Sequence, residues 1–263
     1  METFSRLIED AGALLGIEGF SPDAGGVCYL AAEEAQISII DCSEASGLIL
    51  ITADFAGLDS DCDEELRFAL SSNYLFKATH GATISLDPDS GGLALSIYLP
   101  VDALTPEMLV ERIEAFSSVM FKLRESIDCR TFDVHSESDD EEDGKGQFDI
   151  IEADGVSAKV YPSGDSSLIV SVELGELPEG SAILRELMTG NYLFAGTAGA
   201  ALALDEDRRV VMQQRFWVKE SAEDDISGRL AVFFDKAKVW KGKLISGGDE
   251  QIPFSPLDDL IRV

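Results

Sequence analysis

The apolar residues at the start of the chain follow the period of a helix. Six of them recur at spacings of three and four positions: Phe4, Leu7, Ile8, Ala11, Leu14 and Leu15. Such spacing places them on one face of an α-helix. Gly16 comes next, and glycine often ends a helix because it adopts the left-handed conformation at little cost. The pattern therefore predicts a short, one-sided helix.

Strand-like and helical patterns then alternate along the chain. Three strand-like runs come first, at residues 26–32, 35–41 and 47–55. Short polar turns separate them, which favours an antiparallel meander. The next helix has an acidic first turn and an apolar face that includes Leu66 and Leu70. Two strands joined by the turn-forming sequence PDSGG precede a long amphipathic helix, which Thr105 caps and Pro106 begins. This order predicts an α+β unit built on an antiparallel sheet.

A stretch of fifteen residues occurs twice. The sequence NYLFKATHGATISLD begins at Asn73, NYLFAGTAGAALALD begins at Asn191, and nine of the fifteen positions are identical. The strand and helix patterns around the second copy follow the same order as those around the first, so internal duplication is the best explanation. No helix pattern like that of residues 4–15 precedes the second set of strands. The predicted fold class is therefore α+β, with two tandem α-β-β-β-α-β-β-α units of which the second lacks its first helix.

An acidic run, HSESDDEEDGKG, separates the two copies. It contains no apolar residue and repels itself, so it is predicted to be a flexible linker. The chain divides into a complete unit over residues 1–130, an acidic linker over 131–146, a second unit over 147–245 and an apolar tail over 246–263. The tail holds Phe254 and Leu257, and we hypothesise that it docks on the second unit where the first helix is missing.

The charge of the chain excludes some partners. Fifty acidic against twenty basic residues give 263 residues a net charge of −30 and a pI near 4.1. This field repels nucleic-acid phosphates and anionic lipid surfaces, so neither nucleic acid nor membrane is an expected partner. No apolar stretch reaches the length of a membrane span, and the first residues lack the basic and apolar regions of a signal peptide. We expect a cytoplasmic protein.

The sequence offers little for catalysis or metal binding. Its four cysteines form no C-x-x-C pair, and it contains only two histidines. The DPDSGG segment lacks an acid at the twelfth position of a calcium loop, where Tyr98 stands, so a hairpin turn is the better interpretation. His80 is replaced by Ala198 in the second copy, and no nucleophile-elbow, Walker A or dinucleotide motif occurs. We predict no enzymatic activity, no metal and no cofactor.

Asn73 and Asn191 lie close to the predicted ends of equivalent helices. Asparagine tolerates the left-handed conformation, and its side chain can cap nearby backbone groups. Both residues are therefore expected to specify the fold rather than to bind a ligand.

The order of elements, the acidic charge and the strand ending in LDPDSGG together resemble the CesT/Tir-type chaperones of type III secretion. The resemblance covers the first unit fully and the second more loosely. It implies a non-enzymatic, ATP-independent chaperone that holds an extended, unfolded segment of a secreted effector or translocator. The alternative is an adaptor or regulatory protein on the same fold, like the YbjN-type proteins, without a secreted client.

The resemblance also implies where partners bind. The first helix and first three strands would offer an apolar patch to the effector: Phe4, Leu7, Ile8, Leu14, Leu15, Val27, Tyr29, Ile37 and Ile39. Such chaperones are usually homodimers of one unit each, so the two units here are expected to form an intramolecular pseudo-dimer, unless the chain itself forms a homodimer. The expected contact consists of Leu66, Leu70, Ile183 and Leu187. The opposing interpretation of the first helix is that it covers its own sheet.

Overall fold

Two five-stranded antiparallel sheets form the framework of the molecule, one from each half of the sequence. The computed structural model describes residues 2–32, 35–59, 61–132, 148–153, 155–163, 167–178, 181–217 and 223–246. The first half contains α1 (Glu2–Leu15), β1 (Val27–Ala32), β2 (Ala35–Cys42), α2 (Ser43–Ser46), β3 (Leu48–Ala56), α3 (Asp63–Ser72), β4 (Thr83–Leu86), β5 (Leu93–Pro100) and α4 (Pro106–Asp128). The second contains β6 (Asp149–Ala153), β7 (Val156–Ser163), β8 (Ser167–Glu176), α5 (Ser181–Gly190), β9 (Ala201–Leu204), β10 (Arg209–Trp217) and α6 (Glu223–Ser246).

The two sheets have the same topology. The strand order is β1-β2-β3-β5-β4 in the first and β6-β7-β8-β10-β9 in the second. In each sheet the first three strands form a meander, and the last strand then inserts between the third and fourth. The predicted fold class of two tandem α+β units is confirmed, and no helix precedes β6 in the described part of the second unit, which starts at residue 148.

The helices cover the sheets with the faces that their sequence patterns predict. The Thr105 hydroxyl accepts a hydrogen bond from the Met108 amide at 3.3 Å, so the predicted cap begins α4. This helix contacts β3 on one side and α1 on another. In the second unit α6 takes the place of α4 and packs on β8 and β10. A feature the sequence did not predict is α2, a single helical turn where a polar turn was expected, which ends at Gly47 with φ of 70°.

The repeated NYLF sequence forms a sharp kink in both units. Each helix ends before it, and a short 3₁₀ turn follows at Tyr74–Phe76 and Tyr192–Phe194. Asn73 and Asn191 themselves have φ near −70° and −77°, so neither residue adopts the left-handed conformation that asparagine tolerates. The strained conformation falls instead on the leucine and phenylalanine after them, with φ of 50° and 57° at Leu75 and Phe76.

Two predicted segments lie largely or wholly outside the described residues. The linker predicted over 131–146 is described only at its first two positions, and of the tail predicted over 246–263 only Ser246, the last residue of α6, is described. The hypothesis that the tail docks on the second unit therefore stays a prediction. None of the described helices combines the length and the apolar character needed to span a bilayer.

Candidate client-binding surface and contact between the units

Most of the apolar patch expected on α1 belongs to the core. Phe4, Leu7 and Ile8 are at most 7% exposed, because the stripe that they form faces α4 and the interior of the first unit. Leu14, in contrast, is 55% exposed, and Leu15 is half-buried. The same stripe thus covers the first unit along most of the helix and reaches the surface at its carboxyl end.

The strand residues of the expected patch divide in the same way. Ile37 and Ile39 are fully buried on the inner face of β2. Val27 is half-buried, and Tyr29 is 54% exposed on the outer face of β1. Since β1 is an edge strand, one side of its backbone pairs with β2 and the other side pairs with no strand of the described sheet. Tyr29 therefore lies beside an edge that can accept a further strand.

The second unit has an equivalent exposed edge that the sequence interpretation did not include. β6 is the edge strand of the second sheet. The last strand pairs of the two hairpins are Ala32↔Ala35 and Ala153↔Val156, and counting back three residues from each places Ile150 at the position of Tyr29. Ile150 is 63% exposed. The alignment of the two hairpins reveals this residue, whereas the repeated stretch of the sequence begins only at Asn73 and Asn191, after both hairpins.

An aromatic and a cationic side chain extend this second edge. Phe148 is 42% exposed, and its ring centroid lies 5.6 Å from that of Tyr161. The Lys159 ammonium lies 5.3 Å from the Phe148 ring. The exposed apolar side chains Phe148 and Ile150 thus have a positive charge close by, although the chain as a whole is strongly acidic.

The two units contact each other through helices α3 and α5. α3 packs against α5 and β9, and α5 packs against β4. The four residues expected at this contact lie on these helices and are buried: Leu66, Leu70, Ile183 and Leu187. One polar contact accompanies them, since the Arg185 guanidinium donates to the Cys62 sulfur at 3.0 Å.

A glutamine adds a polar connection that is not repeated. The Leu75 amide donates to Oε1 of Gln213 at 2.8 Å, and Nε2 of Gln213 donates to the Asn73 carbonyl. Gln213 is completely buried on β10. The pairs Thr83↔Ser96 and Ala201↔Gln213 show that Ser96 is its equivalent in the first unit. Ser96 hydrogen bonds instead to the Thr52 hydroxyl of its own unit at 2.8 Å.

Tyr192 of the second unit reaches the turn between β4 and β5 of the first unit. The Tyr192 hydroxyl bonds to the Asp87 carboxylate, which also accepts from the Asp89 and Ser90 amides. Burial alone would raise the pKa of Asp87, but these hydrogen bonds outweigh it and lower the pKa. Burial raises the pKa of Tyr192 to about 12, so its hydroxyl stays protonated and able to donate.

Both halves of the sequence match one family of proteins. The model of the Tir chaperone protein (CesT) family matches residues 6–124 and again residues 130–241. The chain belongs to this family. Its two units are thus two CesT units in tandem, and the resemblance found in the sequence is confirmed.

Individual proteins similar to this tandem CesT chain each match about one unit of it. A Chlamydia pneumoniae protein is 27% identical over 105 residues, which cover 39% of this chain and 80% of that protein. The structure of the HopA1–SchA chaperone–effector complex matches at 19% identity over 47% of this chain and 94% of the other, with a TM-score of 0.41. The Yersinia pestis type III secretion chaperone SycH, in complex with a fragment of YscM2, matches at 17% identity over 46% and 98%, with a TM-score of 0.36.

The described residues of this CesT chain offer no evident metal centre. No group of three or more His, Cys, Asp or Glu side chains is arranged to hold a metal ion in the ranges that the structure describes. Asp87 and Asp89 instead organise the turn between β4 and β5, where the Asp87 carboxylate accepts two backbone hydrogen bonds.

Proposed function

We propose that this chain is an ATP-independent cytoplasmic chaperone, without enzymatic activity, that binds an extended, unfolded segment of a type III secretion effector or translocator. The observation that carries the proposal is the match of both halves of the chain to the CesT family. The HopA1–SchA chaperone–effector complex consists of other proteins, and the client of this chain is inferred from family membership.

The exposed edge of the first unit supplies a binding mode. An extended segment that pairs with β1 gains backbone hydrogen bonds, which do not depend on the sequence of the client. Tyr29 is exposed on this strand and Leu14 is exposed at the carboxyl end of α1, and both offer apolar area, worth roughly 25 cal/mol per Å² buried. The buried members of the expected patch, among them Ile8 and Ile39, then support this surface from the core instead of contacting the client.

The edge of the second unit offers a different binding surface, either for another part of the same client segment or for a second client segment. Ile150 and Phe148 are exposed there, with Lys159 beside them. A net charge of −30 keeps the complex soluble and favours basic segments of the client elsewhere on the surface. Binding at two unlike edges makes client recognition asymmetric.

We further propose that the two units form an intramolecular pseudo-dimer. The burial of Leu66, Leu70, Ile183 and Leu187 supports this, and so do the hydrogen bonds of Gln213. A chain that satisfies this contact internally sediments as a monomer of 28.4 kDa. Sedimentation at twice this mass, with no concentration dependence, would favour the homodimer instead.

The test of the chaperone function is capture of a client from bacteria that secrete through a type III system. The tagged full chain is expected to co-purify a secreted protein, and the variant Leu14→Asp/Tyr29→Asp is expected to lose it. Met108→Asp is a matched control, because Met108 is 40% exposed on α4, an element outside the proposed surface. Capture of a protein that is not secreted would favour the adaptor alternative, and equal capture by both variants would refute the proposed surface.

A further inference from the structure

A cleft of about 160 Å³ opens between the two units, apart from both sheet edges described above. The first unit contributes Phe76, Thr83 and Tyr98 to its wall, and the second contributes Phe194, Arg215 and Trp217. Aromatic rings thus line both sides. The Tyr98 and Phe194 rings contact each other across the boundary, with centroids 4.8 Å apart.

Arg215 brings a positive charge to this aromatic cleft. Its guanidinium lies 5.5 Å from the Phe76 ring and 5.7 Å from the Trp217 ring. Gly81 makes this position possible, because a Cβ atom there would lie 2.8 Å from Nη1 of Arg215. A second guanidinium, that of Arg229, also lines the cleft.

The charge is present on one side of the pseudo-symmetric contact only. The strand register that makes Gln213 equivalent to Ser96 makes Arg215 equivalent to Tyr98. Tyr98 contacts Phe194 of the second unit, and Arg215 contacts Phe76 of the first unit. Phe76 and Phe194 are themselves equivalent residues of the repeat, so the two contacts occupy equivalent places. Two identical units would carry the same residue at both positions. Divergence of the two copies has therefore placed a guanidinium in the wall of the second unit, at the position where the first unit has a tyrosine.

Thr83 supplies an independent sign of a ligand. It lies on β4, is 1% exposed and lines the cleft. Its hydroxyl has no hydrogen-bond partner within the described residues. Buried hydroxyls in native proteins are nearly always hydrogen-bonded, so this one is suited to a polar atom of a bound molecule. The equivalent residue of the second unit is Ala201, so the hydroxyl too is unique to one side.

We propose that this cleft binds a small aromatic carboxylate. A cavity of about 150 Å³ holds a benzene ring, so the observed volume suits a single ring against the lining side chains of Phe76, Tyr98 and Phe194. A carboxylate matches the planar fork of the Arg215 guanidinium and accepts a hydrogen bond from the Thr83 hydroxyl. The site does not depend on client binding, since it lies at the contact between the units and not at the β1 or β6 edge.

Calorimetric titration of the full chain with benzoate tests the site. Acetate carries the charge without the ring, benzyl alcohol carries the ring without the charge, and benzylamine reverses the charge. We expect benzoate to bind at least about tenfold more tightly than any of these three, a difference of about 1.4 kcal/mol. Absence of benzoate binding across the millimolar range would overturn the proposal, as would equal binding of benzyl alcohol.

Two variants separate the roles of the cleft residues. Arg215→Gln is expected to weaken benzoate binding about tenfold or more, because a charge-assisted hydrogen bond is lost. Thr83→Val keeps the shape of the side chain without its hydroxyl, and it is expected to weaken binding about threefold while the chain stays folded. Arg6→Gln, at an exposed position on α1, is the matched control and should bind as the parent does. If Thr83→Val and Arg215→Gln both fold and bind benzoate unchanged, the cleft is not the site.

Discussion

The side-chain amides of Asn73 and Asn191 donate to the same two backbone carbonyls, one in each unit. Asn73 donates to Ile84 of its own unit at 2.9 Å and to Leu202 of the other unit at 3.4 Å. Asn191 donates to Leu202 at 2.9 Å and to Ile84 at 3.4 Å. Each also accepts from the amide of its own strand residue at 2.7 Å. The repeated asparagine therefore fixes the helix end to the following strand and connects the two units.

Loss of either asparagine side chain is expected to destabilise the fold strongly. Both residues are completely buried, so Asn73→Ala leaves the Ile84 amide and carbonyl without this partner in a dry environment. We expect a loss of about 2–4 kcal/mol in the free energy of unfolding, since each unsatisfied buried group costs about 1–3 kcal/mol. Urea denaturation measures it, and Thr105→Ala, which removes an exposed cap, is the control with an expected loss of about 1 kcal/mol.

The two asparagines are also expected to be energetically coupled. Because their amide groups share two acceptors, the double variant Asn73→Ala/Asn191→Ala should differ from the sum of the single variants by more than about 0.5 kcal/mol. A double-mutant cycle in urea measures this coupling. Strict additivity would mean that the cross-unit bonds of 3.4 Å contribute nothing to stability.

Gln213 and Ser96 occupy equivalent positions, but Gln213 hydrogen bonds to the other unit and Ser96 hydrogen bonds within its own unit. Gln213→Leu removes the acceptor of the Leu75 amide in the other unit and is expected to cost about 1–3 kcal/mol. Ser96→Ala removes a bond within the first unit only and is expected to cost about 1 kcal/mol. Denaturant unfolding gives both values. A larger loss for Ser96→Ala would show that the bond across the units is the weaker one.

The burial of α1 leads to opposite expectations for two residues of one helix. Ile8 is 0% exposed, so Ile8→Ala is expected to cost about 2–5 kcal/mol through lost burial and a cavity. Leu14 is 55% exposed, so Leu14→Ala should change stability by no more than about 0.5 kcal/mol. Thermal unfolding of the two variants checks the contrast. Equal effects would mean that α1 does not lie against α4 in solution.

The sequence reveals the elements and the duplication but not how α1 is used or how the units meet. The cap at Thr105 and the buried face of Leu66 and Leu70 are local patterns with a fixed period, and the structure has both. An apolar stripe has the same period whether it faces its own core or a partner, so the burial of Ile8 could not be decided from spacing. The bond from Leu75 to Gln213 joins residues 138 positions apart, and no local pattern carries such a pair.

Stability is expected to fall in acid through the contact of Asp87 with Tyr192. Although burial raises the pKa of Asp87, the hydrogen bonds it accepts lower the pKa below that of an unfolded aspartate, about 3.9. The folded state therefore binds this proton less readily than the unfolded state. The resulting stabilisation is present above pH of about 4 and is lost as the pH falls through the lowered pKa.

Tyr192→Phe tests this dependence because it removes one donor to the Asp87 carboxylate. We expect a loss of about 1 kcal/mol at pH 7 that shrinks as the pH falls below about 4, where Asp87 becomes protonated in both proteins. Urea denaturation at a series of pH values measures the difference between the two. Asp54→Asn is expected to have the opposite effect on stability at pH 7. Burial and the neighbouring Asp87 raise the pKa of Asp54, so removal of this carboxylate should stabilise the fold. A loss in Tyr192→Phe that stays constant from pH 7 to pH 3 would show that the tyrosine acts by packing and not through the carboxylate.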